Sequence, residues 1–283
     1  MTPAAPVVLH LDRNTPTALE LTVHRAPDAS APAVLVVPAM GLRASFYTPL
    51  LQALAAHGCH GATLELRGHQ RRPAPRPGRS YDYGYADLVG DLDAGLARLR
   101  ATLPGAAVHT LGHSFGGHIV AAHAALRPST IDSAVLLATG SVDWRAWGAI
   151  GPWHLLRTQA ALAVTQLLGH FPGPQVGFAG REARTQMTEW ARWGRTGRLR
   201  IGHPPVDIAA AATDAELPLL FVSLAGDALA PARTTDALAA LFPRATVSRR
   251  HLRLDVARPH YDWARHPDTV LSHLTSWFGS PTR

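Results

Sequence analysis

Two periodicities take turns along this chain. Short β-type runs recur: VVLHL (7–11), ALELTVH (18–24), AVLVVP (33–38), CHGATLEL (59–66), AAVHTL (106–111), IDSAVLLAT (131–139), LPLLFVSL (217–224) and ATVSRRHL (245–252). Between most of them lie stretches whose apolar residues repeat every three or four positions. These are SFYTPLLQALAAHG (45–58), closed by Gly58, then YADLVGDLDAGLARLRATL (85–103), FGGHIVAAHAAL (115–126) and HPDTVLSHLTSWF (266–278). In the second, Leu88, Leu92, Leu96 and Leu99 share one stripe. A period near 2 predicts strand and a period near 3.6 predicts helix. The first two runs predict a hairpin. The alternation that follows predicts a mainly parallel central sheet with helices on both faces, an α/β fold. The alternation breaks once. From about 141 to 206 helical patterns continue without a convincing strand, and five of the seven Trp lie there: Trp144, Trp147, Trp153, Trp190 and Trp193. A long insertion between a strand and the next βα unit predicts a lid. Residues 1–140 and 207–283 are therefore expected to form one core domain, with 141–206 as an inserted helical lid.

Composition narrows the chemistry. With 283 residues and 47% hydrophobic content the chain can bury one large core. The apolar runs fall far short of the ~20 residues that span a membrane. The N-terminus lacks a basic stretch followed by an apolar core, so a soluble, cytoplasmic protein is expected. Cys59 is the only cysteine, which excludes an intrachain disulfide. All 27 basic residues are Arg, which excludes Schiff-base and pyridoxal-phosphate chemistry on a lysine. The 16 His are scattered without metal-ligand spacing, and no phosphate-binding glycine motif occurs. No cofactor and no metal are expected. A net charge of +7 attracts anions, though solvated Arg from a biased codon usage explains most of it. No recognition motif supports nucleic acid as a partner.

Candidate chemistry centres on HTLGHSFGG (109–117), where a strand pattern turns directly into a helix pattern. A serine hydroxyl is a weak nucleophile near neutral pH. It needs a base within hydrogen-bond reach and a third group that orients the base. It also needs exposure, which a sharp strand-to-helix turn supplies. Side chains at the flanking positions would clash in such a turn, and here they are Gly112 and Gly116. G-x-S-x-G arises by chance in roughly one chain in twelve of this composition, so its weight comes from that setting.

These features resemble the α/β-hydrolase superfamily, over nearly the whole chain from Ala33 to Phe278. The resemblance implies the order nucleophile, acid, histidine. Ser114 would be the nucleophile. Asp227, in VSLAGDALAP after the run 217–224, would be the acid. His260, in ARPHYDW after the run 245–252, would be the base. His113, His251, His266 and His273 are rival histidines, and Asp255 and Asp262 flank the base. Pro259 stands where the family often has Gly. The resemblance also implies an oxyanion hole built from the backbone N–H of Phe115 and of a residue in the loop VPAMGLRASFY, here Met40. LRGHQ (66–70) matches an Arg-Gly-His loop of structural role. The implied function is a serine hydrolase acting on a carboxylic ester or thioester, with Trp144, Trp147, Trp153 and Trp190 of the lid as substrate contacts. Acyl transfer on the same triad is an alternative, and a non-catalytic binding protein on the same scaffold is another. The segment 141–206 holds eight Arg against Asp143, Glu182 and Glu189, a net +5. That charge fits a small-molecule acyl substrate on an anionic carrier, and it fits solvated surface Arg equally well.

Overall fold

Each apolar run becomes a strand and each period-3.6 stretch a helix. A computed structural model describes residues 5–11, 18–70 and 74–278. Eight strands form one sheet: β1 (Val7–Leu11), β2 (Leu19–His24), β3 (Ala33–Val37), β4 (His60–Leu64), β5 (Val108–His113), β6 (Ser133–Leu137) and, late in the chain, β11 (Pro218–Leu224) and β12 (Thr246–Leu252). Their order is β1-β2-β4-β3-β5-β6-β11-β12. The expected hairpin β1–β2 is antiparallel, and β2 joins β4 antiparallel; its connecting residues 12–17 lie outside the described ones. Every other pairing is parallel. Helices α1 (Thr48–Ala56), α2 (Tyr85–Thr102) and α3 (Phe115–Leu126) follow β3, β4 and β5 in turn.

The segment 141–206 differs from expectation in detail. Helices α4 (Gly151–Leu168), α5 (Gly173–Val176) and α6 (Arg184–Thr196) dominate it, as the periodicity predicts. Two small ribbons accompany them: β7 (His170–Pro172) pairs with β8 (Arg181–Ala183), and β9 (Arg200–Ile201) with β10 (Val206–Asp207). Strands of two or three residues are too short to show a period. The chain returns to the sheet through α7 (Ile208–Ala212). Then α8 (Ala232–Ala239) and α9 (Pro259–Asp262) precede the last helix, α10 (Asp268–Phe278).

The parallel strands are covered on both faces. Val34 and Val36 of β3 join Leu50, Leu51 and Leu54 of α1 and Val270, Leu271 and Leu274 of α10 on one side. Ala33, Leu35 and Val37 join α2 and α3 on the other. This is the side-chain alternation of a strand, expressed between two buried layers. The carboxyl ends of β3, β5, β11 and β12 therefore open at one edge, where open α/β sheets bind ligands.

Candidate active site

The turn after β5 is strained. Ser114 has φ 53° and ψ −117°, a conformation that costs a non-glycine residue about 1–3 kcal/mol. Its N–H donates to the Leu137 carbonyl at 3.0 Å, and its carbonyl accepts from Gly117 N–H at 2.9 Å. The two glycines are required here. A Cβ on Gly112 would collide with the Gly117 backbone, and one on Gly116 with the Val37 carbonyl. Phe115 opens α3, so its N–H has no acceptor within the helix.

Three loops from the same sheet edge bring three side chains into line. His260 Nδ1 lies 2.8 Å from Asp227 Oδ2, and His260 Nε2 lies 3.0 Å from Ser114 Oγ. A carboxylate only accepts, so Nδ1 carries the proton. Nε2 is then left as the acceptor for the serine hydroxyl. The other Asp227 oxygen, Oδ1, accepts from Leu229 N–H at 2.8 Å and Ala230 N–H at 3.1 Å. Both carboxylate oxygens are thus engaged, and Asp227 and His260 are each 6% exposed. Pro259 is the first residue of α9, where its fixed φ suits a helix and its missing N–H is not needed.

A second line of hydrogen bonds runs behind the first. Ala39 N–H donates to Tyr47 Oη at 2.9 Å. Tyr47 Oη lies 2.7 Å from His113 Nδ1, and His113 Nε2 lies 2.7 Å from the His260 carbonyl. That carbonyl can only accept, so Nε2 is the donor and Nδ1 accepts from the tyrosine hydroxyl. Burial holds His113 well below its ordinary value, which keeps the ring neutral. The line joins the residue before Met40, the residue before Ser114, and His260 itself.

Met40, Ser114, Phe115 and His260 open onto a cavity of about 370 Å³. Trp147, Trp190, Phe171 and Phe178 supply much of its apolar wall. Two histidines line it too. His154 stacks on Trp147 at 3.7 Å between ring centres and donates to the Val142 carbonyl at 3.1 Å. His118 contacts the Gly140 carbonyl at 2.9 Å. Burial pushes both rings down to about 4, so both are neutral near pH 7. Among the described residues, no group of three His, Cys, Asp or Glu side chains could hold a metal ion.

A model of the alpha/beta hydrolase fold matches residues 32–252. The chain belongs to the alpha/beta hydrolase fold family. Solved structures of similar fold include a highly thermostable carboxyl esterase from Bacillus coagulans in complex with glycerol. It is 13% identical, with 97% of this chain and 98% of that chain covered and a TM-score of 0.67. A soluble variant of monoglyceride lipase from Saccharomyces cerevisiae is 11% identical, with 98% and 97% covered and a TM-score of 0.66. The thioesterase domain from the curacin biosynthetic pathway is 14% identical, with 97% and 100% covered and a TM-score of 0.60. At such identities these are likenesses of fold. No curated protein sequence matches the chain.

In this alpha/beta hydrolase the rival residues stand elsewhere. His113 serves the second line. His251 pairs with Ser223 at 2.9 Å, Asp262 pairs with Arg258 at 3.0 Å, and His266, His273 and Asp255 are exposed. The Arg-Gly-His loop is tied down: Arg67 grips Asp91 with two nitrogens, and His69 Nε2 lies 3.3 Å from Glu182 of β8. Of the four candidate tryptophans of segment 141–206, Trp147 and Trp190 line the cavity and Trp144 and Trp153 do not. Trp153 is 61% exposed and turned to solvent, so the expectation that it contacts substrate is corrected. Trp144 lies under the Arg145 guanidinium instead. Sequence reasoning missed Tyr47, His118 and His154. None of the three sits in a motif or at a spacing that separates it from ordinary core residues.

Proposed function

We propose that the protein is a serine hydrolase that cleaves a carboxylic ester or thioester bearing an apolar acyl group. The observation that carries this reading is the unbroken hydrogen-bonded line Asp227–His260–Ser114, ending at the floor of an apolar cavity. Ser114 Oγ attacks the acyl carbon while His260 Nε2 takes its proton. Asp227 holds the imidazole in the required tautomer and stabilises its charged form. The carbonyl oxygen becomes an oxyanion between the N–H groups of Met40 and Phe115. As the tetrahedral species collapses, His260 gives its proton to the departing oxygen or sulfur. Water then repeats the sequence on the acyl-enzyme, and Ser114 is regenerated. The residues 141–206 act as a lid whose Trp147 and Trp190 hold the acyl group. The net +5 of this segment favours acyl substrates that bear an anionic group, carrier-linked ones included.

A fluorophosphonate probe tests the nucleophile. It should label wild type at Ser114 and leave Ser114→Ala unlabelled. Ester turnover by the variant should fall on the order of 10³-fold or more. Mass spectrometry that finds the label on another serine overturns the assignment.

A further inference from the structure

Helix α4 fully buries only small side chains and leaves most of its large apolar ones outside. Its buried positions are Gly151, Thr158 and Thr165, seven residues apart, and Thr158 sits against Gly194 of α6. Leu155 and Leu162 are half-buried, Leu162 against the core, whereas its other large apolar side chains face solvent. Trp153 is 61% exposed, Leu156 57%, Leu167 74% and Leu168 47%. With Ala160 and Val164, which are also exposed, positions 153, 156, 160, 164 and 167 follow helical spacing and form one stripe. Ile150 extends it at the start of the helix, and Val176 of α5 is likewise exposed. Single exposed leucines are ordinary, whereas a contiguous apolar stripe marks a contact surface.

The charges around the stripe are of one sign. Helix α4 carries Arg157 and no carboxylate. Arg79 donates to the Leu167 carbonyl at 3.0 Å, near its far end. The acids of segment 141–206 are withdrawn from the surface field. Glu182 and Glu189 are buried, and Asp143 pairs with Arg145 at 3.1 Å. A second copy of this chain would bring the same cationic border to the contact, with a net charge of +7 on each.

The stripe is also continuous with the cavity. Arg157, Ala160 and Val164 of α4 line it, as does Val176. Val164 and Val176 thus belong both to the cavity wall and to the exposed surface. An acyl chain that passes them stays in apolar contact throughout.

We propose that the outer face of α4 docks on an anionic lipid surface, and that the substrate is a lipid-borne acyl ester entering the cavity past Val164 and Val176. The substrate half of this inference rests on the hydrolase reading; the docking half does not. Among the described residues no helix is long and apolar enough to cross a membrane, so the helix lies on the surface, with Trp and Leu inward and Arg toward the headgroups.

Sedimentation of the full chain with sucrose-loaded vesicles tests the docking. Wild type should pellet with phosphatidylglycerol–phosphatidylcholine vesicles, less so at high salt, and only weakly with phosphatidylcholine alone. The double variant Leu156→Gln/Leu167→Gln should lose roughly tenfold or more in partitioning. It should hydrolyse a soluble short-chain ester at the wild-type rate, which shows that it is folded. The proposal is overturned if wild type stays in the supernatant with both compositions, or if the double variant binds as wild type does. It is also overturned if light scattering finds a wild-type dimer that the double variant cannot form, because a second copy then covers the face. Vesicle binding without hydrolysis of any ester would sink the hydrolase reading and leave the docking intact.

Discussion

At Tyr47 one hydroxyl serves three segments of chain. It accepts from Ala39 N–H and donates to His113, whose other nitrogen donates to the His260 carbonyl. Tyr47 is fully buried and its hydroxyl is held above its ordinary value by burial, so it remains a donor at any working pH. Tyr47→Phe leaves Ala39 N–H and the His113 ring nitrogen without this partner. Each orphaned buried group costs about 1–3 kcal/mol. Thermal melting should show that loss. Turnover should fall because the loop bearing Met40 and the backbone of His260 lose a common support, so kcat should drop roughly tenfold while KM changes little. An unchanged kcat in a destabilised variant would make the line purely structural. The contrast with Gly112 and Gly116 shows what is legible at this scale. A backbone that admits no Cβ leaves its mark on residue type. Tyr47 leaves none, since its partners lie 8 and 66 residues away and meet only after folding.

Between residue and whole chain, elements are held by their ends. Glu65 follows β4 and accepts from Ala44 N–H at 3.2 Å, at the start of the 3-10 helix Ala44–Tyr47 that leads into α1. Burial pushes its carboxyl up from 4.5 to about 7. The fold therefore holds a proton that the unfolded chain releases at lower pH. Stability from this group is fully present below the unfolded value and falls as pH rises through about 7. Glu65→Gln keeps the acceptor oxygen and removes the titration. Between about pH 5 and about pH 8 the melting temperature of wild type should decline relative to the variant, which becomes the more stable of the two at the upper end. A difference that does not vary with pH would argue against a half-buried, titrating Glu65. The existence of α1, α2, α3 and α10 was legible from periodicity alone. The direction that α4 faces was not, because a helical stripe of apolar residues reads as core-facing. Here α6 takes the Thr158 side instead.

Across the whole molecule the sum of charges is a sequence property and their placement is not. Counting residues puts +5 on segment 141–206. Folding sharpens this, since Glu182 binds His69 and Gly180 N–H, and Glu189 binds the backbone of Tyr85 and Gly202. Arg195, Arg198 and Arg200 stay exposed. For a soluble anionic ester, kcat/KM should therefore fall as salt is added, while a neutral ester shows no dependence. Replacing these three Arg by Gln should flatten the dependence. If the two esters respond alike, the charge plays no part in substrate approach.

The chain by itself determined the α/β layering, the strand order of appearance and the turn at Ser114. Each follows from local rules: a two-residue period, a 3.6-residue period, and glycines where a Cβ cannot fit. The candidates Asp227 and His260 came from their places after two strand patterns, through the family resemblance. Tertiary structure alone decided which histidine faces Ser114, which tryptophans line the cavity and which carry the outer surface. Those choices depend on pairings between residues distant in sequence. A separation of 146 positions between Ser114 and His260 carries no local signal that the two close to 3.0 Å. That distance is set by the parallel register of β5, β6, β11 and β12, which delivers their carboxyl-end loops to one edge.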